Sequence, residues 1–363
     1  MRKFTFLIAL VAILLTVSFL LAACGPAGSK TATVPASVPP AKEFFDLKFA
    51  YHTPPKASMV TAYFNPWTKS IEDASNGKIK ITHYAGESLV RGRDQYDAVE
   101  SGLCDIALVD PSETPGRFPQ SEFDTLPFLF PDTSVGAKVY WDIIQKYLVN
   151  ADFKNVVVLG VLLIPPSNYI GTKPAKDLSN FKGNRVRFSA RTEGWTIEAL
   201  GGTPVEVQTA DLYTSMERGL MDSTFLAWSF IATVGIAEVS KYSTDCSLYC
   251  RAWPIMMNKN TWNSLGTDLQ KTIMTQSGQE ISAKYTAENE VISQGTKKGV
   301  ANSFKIYGNE PIYELTPDQK AAWKAAVLPV WDRWANDLET SRKLPGKAII
   351  EDVKALVTKY SVK

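Results

Sequence analysis

Glu100-Ser101-Gly102-Leu103-Cys104-Asp105 has an echo later in the chain, Glu217-Arg218-Gly219-Leu220-Met221-Asp222. Each copy follows a stretch with helical spacing of apolar residues and opens onto an apolar run. Glycine stands in both where the helix ends, a position whose left-handed backbone costs glycine no steric strain. The pair reads as two lobes built alike, each with a helix that turns through glycine into a strand.

Outward from the echo the same alternation continues. Phe45, Leu47, Phe49 and Tyr51 alternate with polar or small residues as a strand does, and Val60, Phe64, Trp67 and Ile71 then recur at helical spacing before Asn76-Gly77. Ile79, Ile81 and His83 share the inner face of the next strand, Asp94–Ser101 reads as a helix, and Cys104–Val109 as a strand. Arg185-Val186-Arg187-Phe188 is a short strand, followed by a helix from about Thr192 to Leu200, the break Gly201-Gly202, and a strand Val205–Val207. Strands alternating with helices predict an α/β protein with parallel or mixed sheets covered on both faces. The last hundred residues are helical by pattern. Thr316-Pro317-Asp318-Gln319 is a capping-box start for a helix carrying Trp323, Val327 and Trp331, and Asp268 to about Val300 is a helix long enough to bridge two lobes.

The 363 residues, 45% hydrophobic and 21% charged, suit a soluble globular protein of two domains. Lys plus Arg number 39 and Asp plus Glu 37, and two of the cations, Arg2 and Lys3, lie in a leading segment expected to be removed. The remainder balances at zero with no basic run, so nucleic acid is not an expected partner. That leading segment places Arg2 and Lys3 before an apolar run from Phe4 to Leu20 and then Leu21-Ala22-Ala23-Cys24, the order of an export signal. A single membrane anchor is the alternative, since the run is nearly long enough to cross a bilayer. Small residues directly before a cysteine resemble the lipobox of bacterial lipoproteins. Residues 1–23 are therefore expected to be a cleaved signal peptide, Cys24 a lipid-anchored N-terminus, and 24–43, rich in Pro, Ala, Ser and Gly, a flexible tether. The folded body is expected outside the cytoplasm, starting at about Phe44.

Among the other cysteines, Cys104 reads as a small buried residue. Cys246 and Cys250 can form a disulfide only if a turn brings them together, since an extended strand would hold their Cα atoms about 13 Å apart. No Cys-x-x-Cys, His-Glu-x-x-His, Gly-x-Ser-x-Gly, Walker or Gly-x-Gly-x-x-Gly pattern occurs, so neither a metal nor a cofactor is expected, nor a catalytic residue set. There are two histidines. His83 reads as a packed core residue. His52 follows the first strand, where open α/β sheets bind ligands, and is either a pocket residue or a plain loop residue. Arg185, Arg187 and nearby Arg191 are either solvated or supply a rigid two-donor fork for a carboxylate.

Asn76–Ile81, Leu89–Arg93, Ala98–Asp105, Phe123–Phe130, Gly183–Phe188, Ala199–Pro204 and Leu212–Asp222 follow one another across about Phe44 to Leu338. In these stretches, and in their order, the sequence resembles the extracytoplasmic substrate-binding proteins of tripartite ATP-independent periplasmic (TRAP) transporters. The resemblance implies a two-lobed, periplasmic-binding-protein-like α/β fold, with mixed sheets flanked by helices and a long helix bridging the lobes. Residues 44–165 plus about 254–295 would form lobe I, and 166–253 plus about 296–363 lobe II. The implied function is capture of a small organic carboxylate in the interlobe cleft and delivery to the membrane subunits of an ion-gradient-driven permease, without chemistry on the ligand.

The family's carboxylate-binding arginine follows a Lys-Gly-x-x-x motif, which Lys182-Gly183-Asn184-Arg185-Val186-Arg187 places at Arg187. Other family pocket positions fall on His52, Asp110, Thr209 and the segment after Asp222. Where members commonly read Gln-Glu-Asn-Pro, this chain has Thr224-Phe225-Leu226-Ala227 before Trp228, which puts apolar surface in place of an amide. Ser167-Asn168-Tyr169 stands where sialic-acid binders carry a second arginine, which argues against that ligand. Trp195, Phe225, Leu226, Trp228 and Trp253 would line an apolar wall for a hydrophobic or aromatic monoacid, with Tyr51 and Tyr169 as further candidates. Arg91, Arg191 and Arg251 could instead grip a second carboxylate, which keeps a dicarboxylate open. A sensory ligand-binding lipoprotein and a cleft enzyme using Asp110 or His52 as base are the rival functions.

Overall fold

The computed structural model describes residues 44–362. Strands β1 (Phe45–Ala50), β2 (Ile79–Tyr84), β3 (Ile106–Leu108), β4 (Val156–Ile164) and β10 (Arg251–Asn258) form one sheet in the order β2-β1-β3-β10-β4. Strands β5 (Asn168–Gly171), β6 (Arg185–Phe188), β7 (Thr203–Glu206), β8 (Ser223–Leu226), β9 (Tyr242–Asp245) and β11 (Tyr313–Glu314) form the other, ordered β7-β6-β8-β5-β9-β11.

The echo read from the sequence is visible in the pairing. β3 lies parallel to β1 and antiparallel to β10, and β8 lies parallel to β6 and antiparallel to β5. The outer neighbours correspond as well, because β2 runs parallel to β1 and β7 parallel to β6. Gly102 and Gly219 take φ of +81° and +67°, so each helix does turn into its strand through a left-handed glycine.

Three connections join the sheets, β4 to β5, β9 to β10 and, through helices, β10 to β11, and the first two hold each other by backbone bonds. Ser167 N donates to Tyr249 O at 2.7 Å and Leu248 N to Ser167 O at 2.9 Å. The long helical stretch is two helices, Gly266–Thr275 and Gly278–Tyr307. The expected single helix breaks at Ser277, whose backbone is extended, and at Gly278, whose φ of +79° no helix accommodates. The second helix spans both lobes, with Ala283 in the core of the first sheet and Val300 and Phe304 in that of the second. Gly160 lets it approach β4: Ser282 Oγ accepts from Val161 N at 2.9 Å, and a side chain at position 160 would start 3.0 Å from that oxygen.

Other differences have plain causes. Thr316 caps a helix Pro317–Val327 as its capping box predicts, but Pro329 opens a new helix, Pro329–Asp337, and that one carries Trp331. The C-terminal segment does not return wholly to lobe II. Trp323 and Val327 pack in the second lobe, whereas Val330, Trp334, Ile349, Ile350 and Val353 complete the core of the first. Cys246 and Cys250 are free buried thiols, because the crossing chain carries Cys246 into the core of lobe II and Cys250 into that of lobe I. His83 is a packed residue as expected, with Nδ1 2.9 Å from the Tyr51 hydroxyl and Nε2 2.9 Å from Thr68 Oγ1. The signal, tether and Cys24 expectations lie outside the described residues.

Candidate functional site

Residues at the carboxyl ends of the parallel strands of both sheets meet around a chamber of about 20 Å³. His52 follows β1, Asp110 follows β3, Thr209 follows β7, and Phe225 and Leu226 close β8, while Arg251 and Trp253 enter from the start of β10. This is where open α/β sheets bind ligands. His52, Thr209 and Phe230 also line a second cavity of about 700 Å³, which Arg91, Glu113 and Tyr213 border from the two lobes. The chamber's walls are largely apolar. Trp253 stands edge to face against His52 at 4.6 Å, and Phe230 against Trp253 at 6.4 Å.

Arg187 lies behind this surface with a side chain 0% exposed. Nε donates to Val207 O at 2.8 Å and Nη2 to Thr209 Oγ1 at 3.0 Å. Glu113 Oε1 stands 3.7 Å from Nη2 and accepts the Thr209 hydroxyl proton. Nη1 has no hydrogen-bond partner, and the same holds for His52 Nδ1 and Trp253 Nε1 beside the chamber. Buried polar atoms left unpaired cost free energy, so these three, on residues that line the chamber or stand behind it, point to it as a site that takes polar groups.

A second buried cation stands nearby. Arg251 Nη2 is 2.7 Å from Glu193 Oε1, and its Nη1 donates to Ser112 Oγ at 3.4 Å. Ser112 in turn donates from N and Oγ to Asp110 Oδ1, at 2.9 and 2.6 Å. Burial pulls the Arg187 guanidinium below its ordinary range, and the positive charge of Arg251 pulls it further. Burial also works against the charge on Arg251, but Glu193 above all, then Tyr249, Asp110 and Glu113, hold it above the usual value. Burial raises the Tyr249 phenol, and Glu193 adds to it.

The structure thus brings His52, Asp110, Thr209, Phe225, Leu226, Arg251 and Trp253 to the chamber, sets Arg187 directly behind Thr209, and puts Arg91 on the larger cavity. Five candidates lie elsewhere. Trp195 is sandwiched by Arg191 and Arg333 at 5.2 and 4.5 Å and packs on the first lobe's core. Arg191 is held by Glu122 and Asp337, each at 2.8 Å. Trp228 is buried in the second lobe with Lys297 over its ring, Tyr51 is bonded to His83 in the first core, and Tyr169 accepts from Asn184 at 2.7 Å inside the second. Large aromatics serve cores as readily as pockets, and spacing does not separate the two.

The sequence does not single out Glu113, Ser112 or Phe230, and it marks Ser167 only as part of the stretch that lacks a second arginine. Glu113 carried a signal. Asp110-Pro111 is a cap and first-turn proline directly after a strand, and the side chain of Asp110 does accept from Ser112 N to start the turn Pro111–Glu113. A turn at that strand end projects its third residue toward the cleft.

Comparison with known proteins bears on the whole body. A curated relative, the C4-dicarboxylate-binding periplasmic protein DctP of Rhodobacter capsulatus, is 23% identical over 317 residues, covering 85% of this chain and 92% of the relative. A TRAP solute-binding protein of Rhodoferax ferrireducens, solved with copurified benzoate, superposes with a TM-score of 0.81 at 23% identity, covering 87% of this chain and 98% of that one. A marine metagenome TRAP solute-binding protein, described as specific for aromatic acid ligands and solved with 3-hydroxybenzoate, gives 0.81 at 24% identity over 87% and 98% of the two chains. The two-lobed fold expected from the motifs is the fold of these proteins. Residues 49–337 match the sequence profile of the bacterial extracellular solute-binding proteins of family 7, which takes in both sheets, the crossing strands and the bridging helix, and the chain belongs to that family.

Proposed function

We propose that this solute-binding protein captures a small hydrophobic or aromatic monocarboxylate between its lobes, with Arg187 as the carboxylate anchor, and hands it to the membrane subunits of a TRAP permease. The observation that carries the reading is the Arg187 guanidinium, buried, with Nη1 unpaired, and bonded to the Thr209 hydroxyl that lines both cavities. A guanidinium offers two parallel donors to a carboxylate, and a site screened from water strengthens that pair. The apolar faces of Phe225, Leu226, Phe230 and Trp253 suit a ring or alkyl group on the acid. Relatives solved with benzoate and 3-hydroxybenzoate support the same class.

A dicarboxylate is the second reading, favoured by Arg251 on the chamber and by the C4-dicarboxylate relative. Against it, Arg251 Nη2 already stands in an ion pair 2.7 Å from Glu193 Oε1, although neither atom makes an aligned hydrogen bond. No reaction is assigned to the ligand. Among the described residues no group of His, Cys, Asp and Glu is arranged to hold a metal ion. Cleavage before Cys24 and lipidation of that cysteine would tether the body to a membrane. Mass spectrometry of the membrane-bound wild-type protein should find Cys24 as a lipidated N-terminus with residues 1–23 gone, and an intact, unlipidated N-terminal run would mean a transmembrane anchor. The ligand itself is identified by mass spectrometry of small molecules released from the denatured protein. An organic acid supports the reading, and a stoichiometric neutral solute overturns it.

A further inference from the structure

On the reading that Arg187 anchors an acid, we propose that Glu113 is an internal stand-in for the ligand: its carboxylate covers Arg187 from the opposite lobe and is displaced when the acid binds. Glu113 belongs to the turn after β3 in the first sheet, whereas Arg187 and Thr209 belong to the second, so the contact crosses the cleft. Its Oε1 takes the two partners a bound carboxylate would take, the Thr209 hydroxyl and the Nη2 edge of the guanidinium at 3.7 Å. Arg187 borders neither cavity, whereas Thr209 borders both and Glu113 the larger one, so an acid entering from the larger cavity meets these two before it meets the guanidinium.

Charge makes displacement necessary. Two cations, Arg187 and Arg251, share this buried neighbourhood with four carboxyl groups, Asp110, Glu113, Asp124 and Glu193; Glu193 holds Arg251, and burial keeps the Asp124 carboxyl well above its ordinary value. A further carboxylate beside Glu113 would face a like charge at short range in a poorly solvated place. Glu113 is the one of these four that borders the 700 Å³ cavity, which gives its side chain room to turn outward toward Arg91 and Arg93, which also line it. The exchange selects acids, because a neutral solute offers Arg187 nothing in return for the carboxylate it must give up.

The test is calorimetry with benzoate, 3-hydroxybenzoate and succinate on the wild-type protein, Glu113→Gln and Glu113→Ala. Both variants should bind whichever acid the wild type prefers about tenfold more tightly, an effect that loss of a merely structural contact would not give. Equal or weaker binding by the variants, with the wild type binding normally, overturns this inference and leaves the proposed function standing. A wild type that binds none of the acids overturns both. A crystal structure of the wild-type complex gives an independent reading. Glu113 turned away from Arg187, with the acid on Nη1 and Nη2, supports the exchange, and Glu113 still on Arg187 beside the bound acid overturns it.

Discussion

Arg185 and Arg187 stand two residues apart on β6, on the same side of the strand by its alternation, and only the one nearer the carboxyl end is buried. Arg185, 43% exposed, is clamped by Asp222, with Nη2 to Oδ1 at 2.7 Å and Nε to Oδ2 at 3.1 Å. Arg187 is fully enclosed and keeps a donor unpaired. One strand therefore carries a structural arginine and a candidate anchor, separated by position along the sheet rather than by chemistry.

The cysteines give a direct check on the crossing strands. Burial pushes the Cys104 and Cys246 thiols up to about 12 and raises Cys250 as well. In a Cys24→Ser protein, thiol reagents should find almost no reactive thiol in the native state and three after unfolding without reductant. A count of one in the unfolded, unreduced protein would mean that Cys246 and Cys250 are bridged.

Asp152 should set a pH dependence of stability. Burial pushes its carboxyl up from 3.8 to about 6, against hydrogen bonds from Ser121 N and Gln120 N. The native state thus keeps a proton that the unfolded chain has released, so stability present below the unfolded value is lost as pH rises through about 6. Both backbone bonds go to one oxygen, Oδ2, so an amide can still accept them. Asp152→Asn should gain on the wild type by about 2 kcal/mol more at pH 7.5 than at pH 4.5 in urea denaturation. A difference that does not change with pH would contradict the assignment.

How much of this was legible in the sequence depended on the kind of signal. The echo at Gly102 and Gly219 was readable because both the glycine turns and the strands after them are local. The alternation of Phe45 to Tyr51 fixed the first strand for the same reason. The break at Gly278 was missed because a 30-residue helix and the 10-residue helix before it share one apolar period. Trp195 and Trp228 were misplaced because an aromatic near a cleft strand has the same pattern whether it faces core or ligand. The turn that carries Glu113 had a local signal in Asp110-Pro111, but the role of Glu113 did not. Its partners Arg187 and Thr209 come from the other lobe, and spacing along a chain does not report a contact across a cleft.

The bridging helix should contribute stability without touching ligand affinity. Ser282 Oγ is the acceptor for Val161 N at 2.9 Å and donates to Gly278 O at 2.6 Å. Ser282→Ala leaves that strand amide unpaired in the core and should cost about 1–3 kcal/mol in denaturant unfolding, with the dissociation constant for the preferred acid within about twofold. A large loss of affinity at unchanged stability would mean that the helix acts on the cleft.

The most direct test of the central claim is the ranking of Arg187→Lys, Arg187→Ala and Arg185→Ala by calorimetry with the preferred acid, with circular dichroism confirming that each is folded. Lysine keeps the charge but loses the planar two-donor edge, and alanine leaves the buried carboxylate without its partner, so Arg187→Ala should cost about 2–5 kcal/mol of binding and Arg187→Lys a large part of that. Arg185→Ala should bind nearly as the wild type does, because that side chain is engaged by Asp222 away from the chamber. Binding that survives in Arg187→Ala and is abolished in Arg185→Ala would contradict the account.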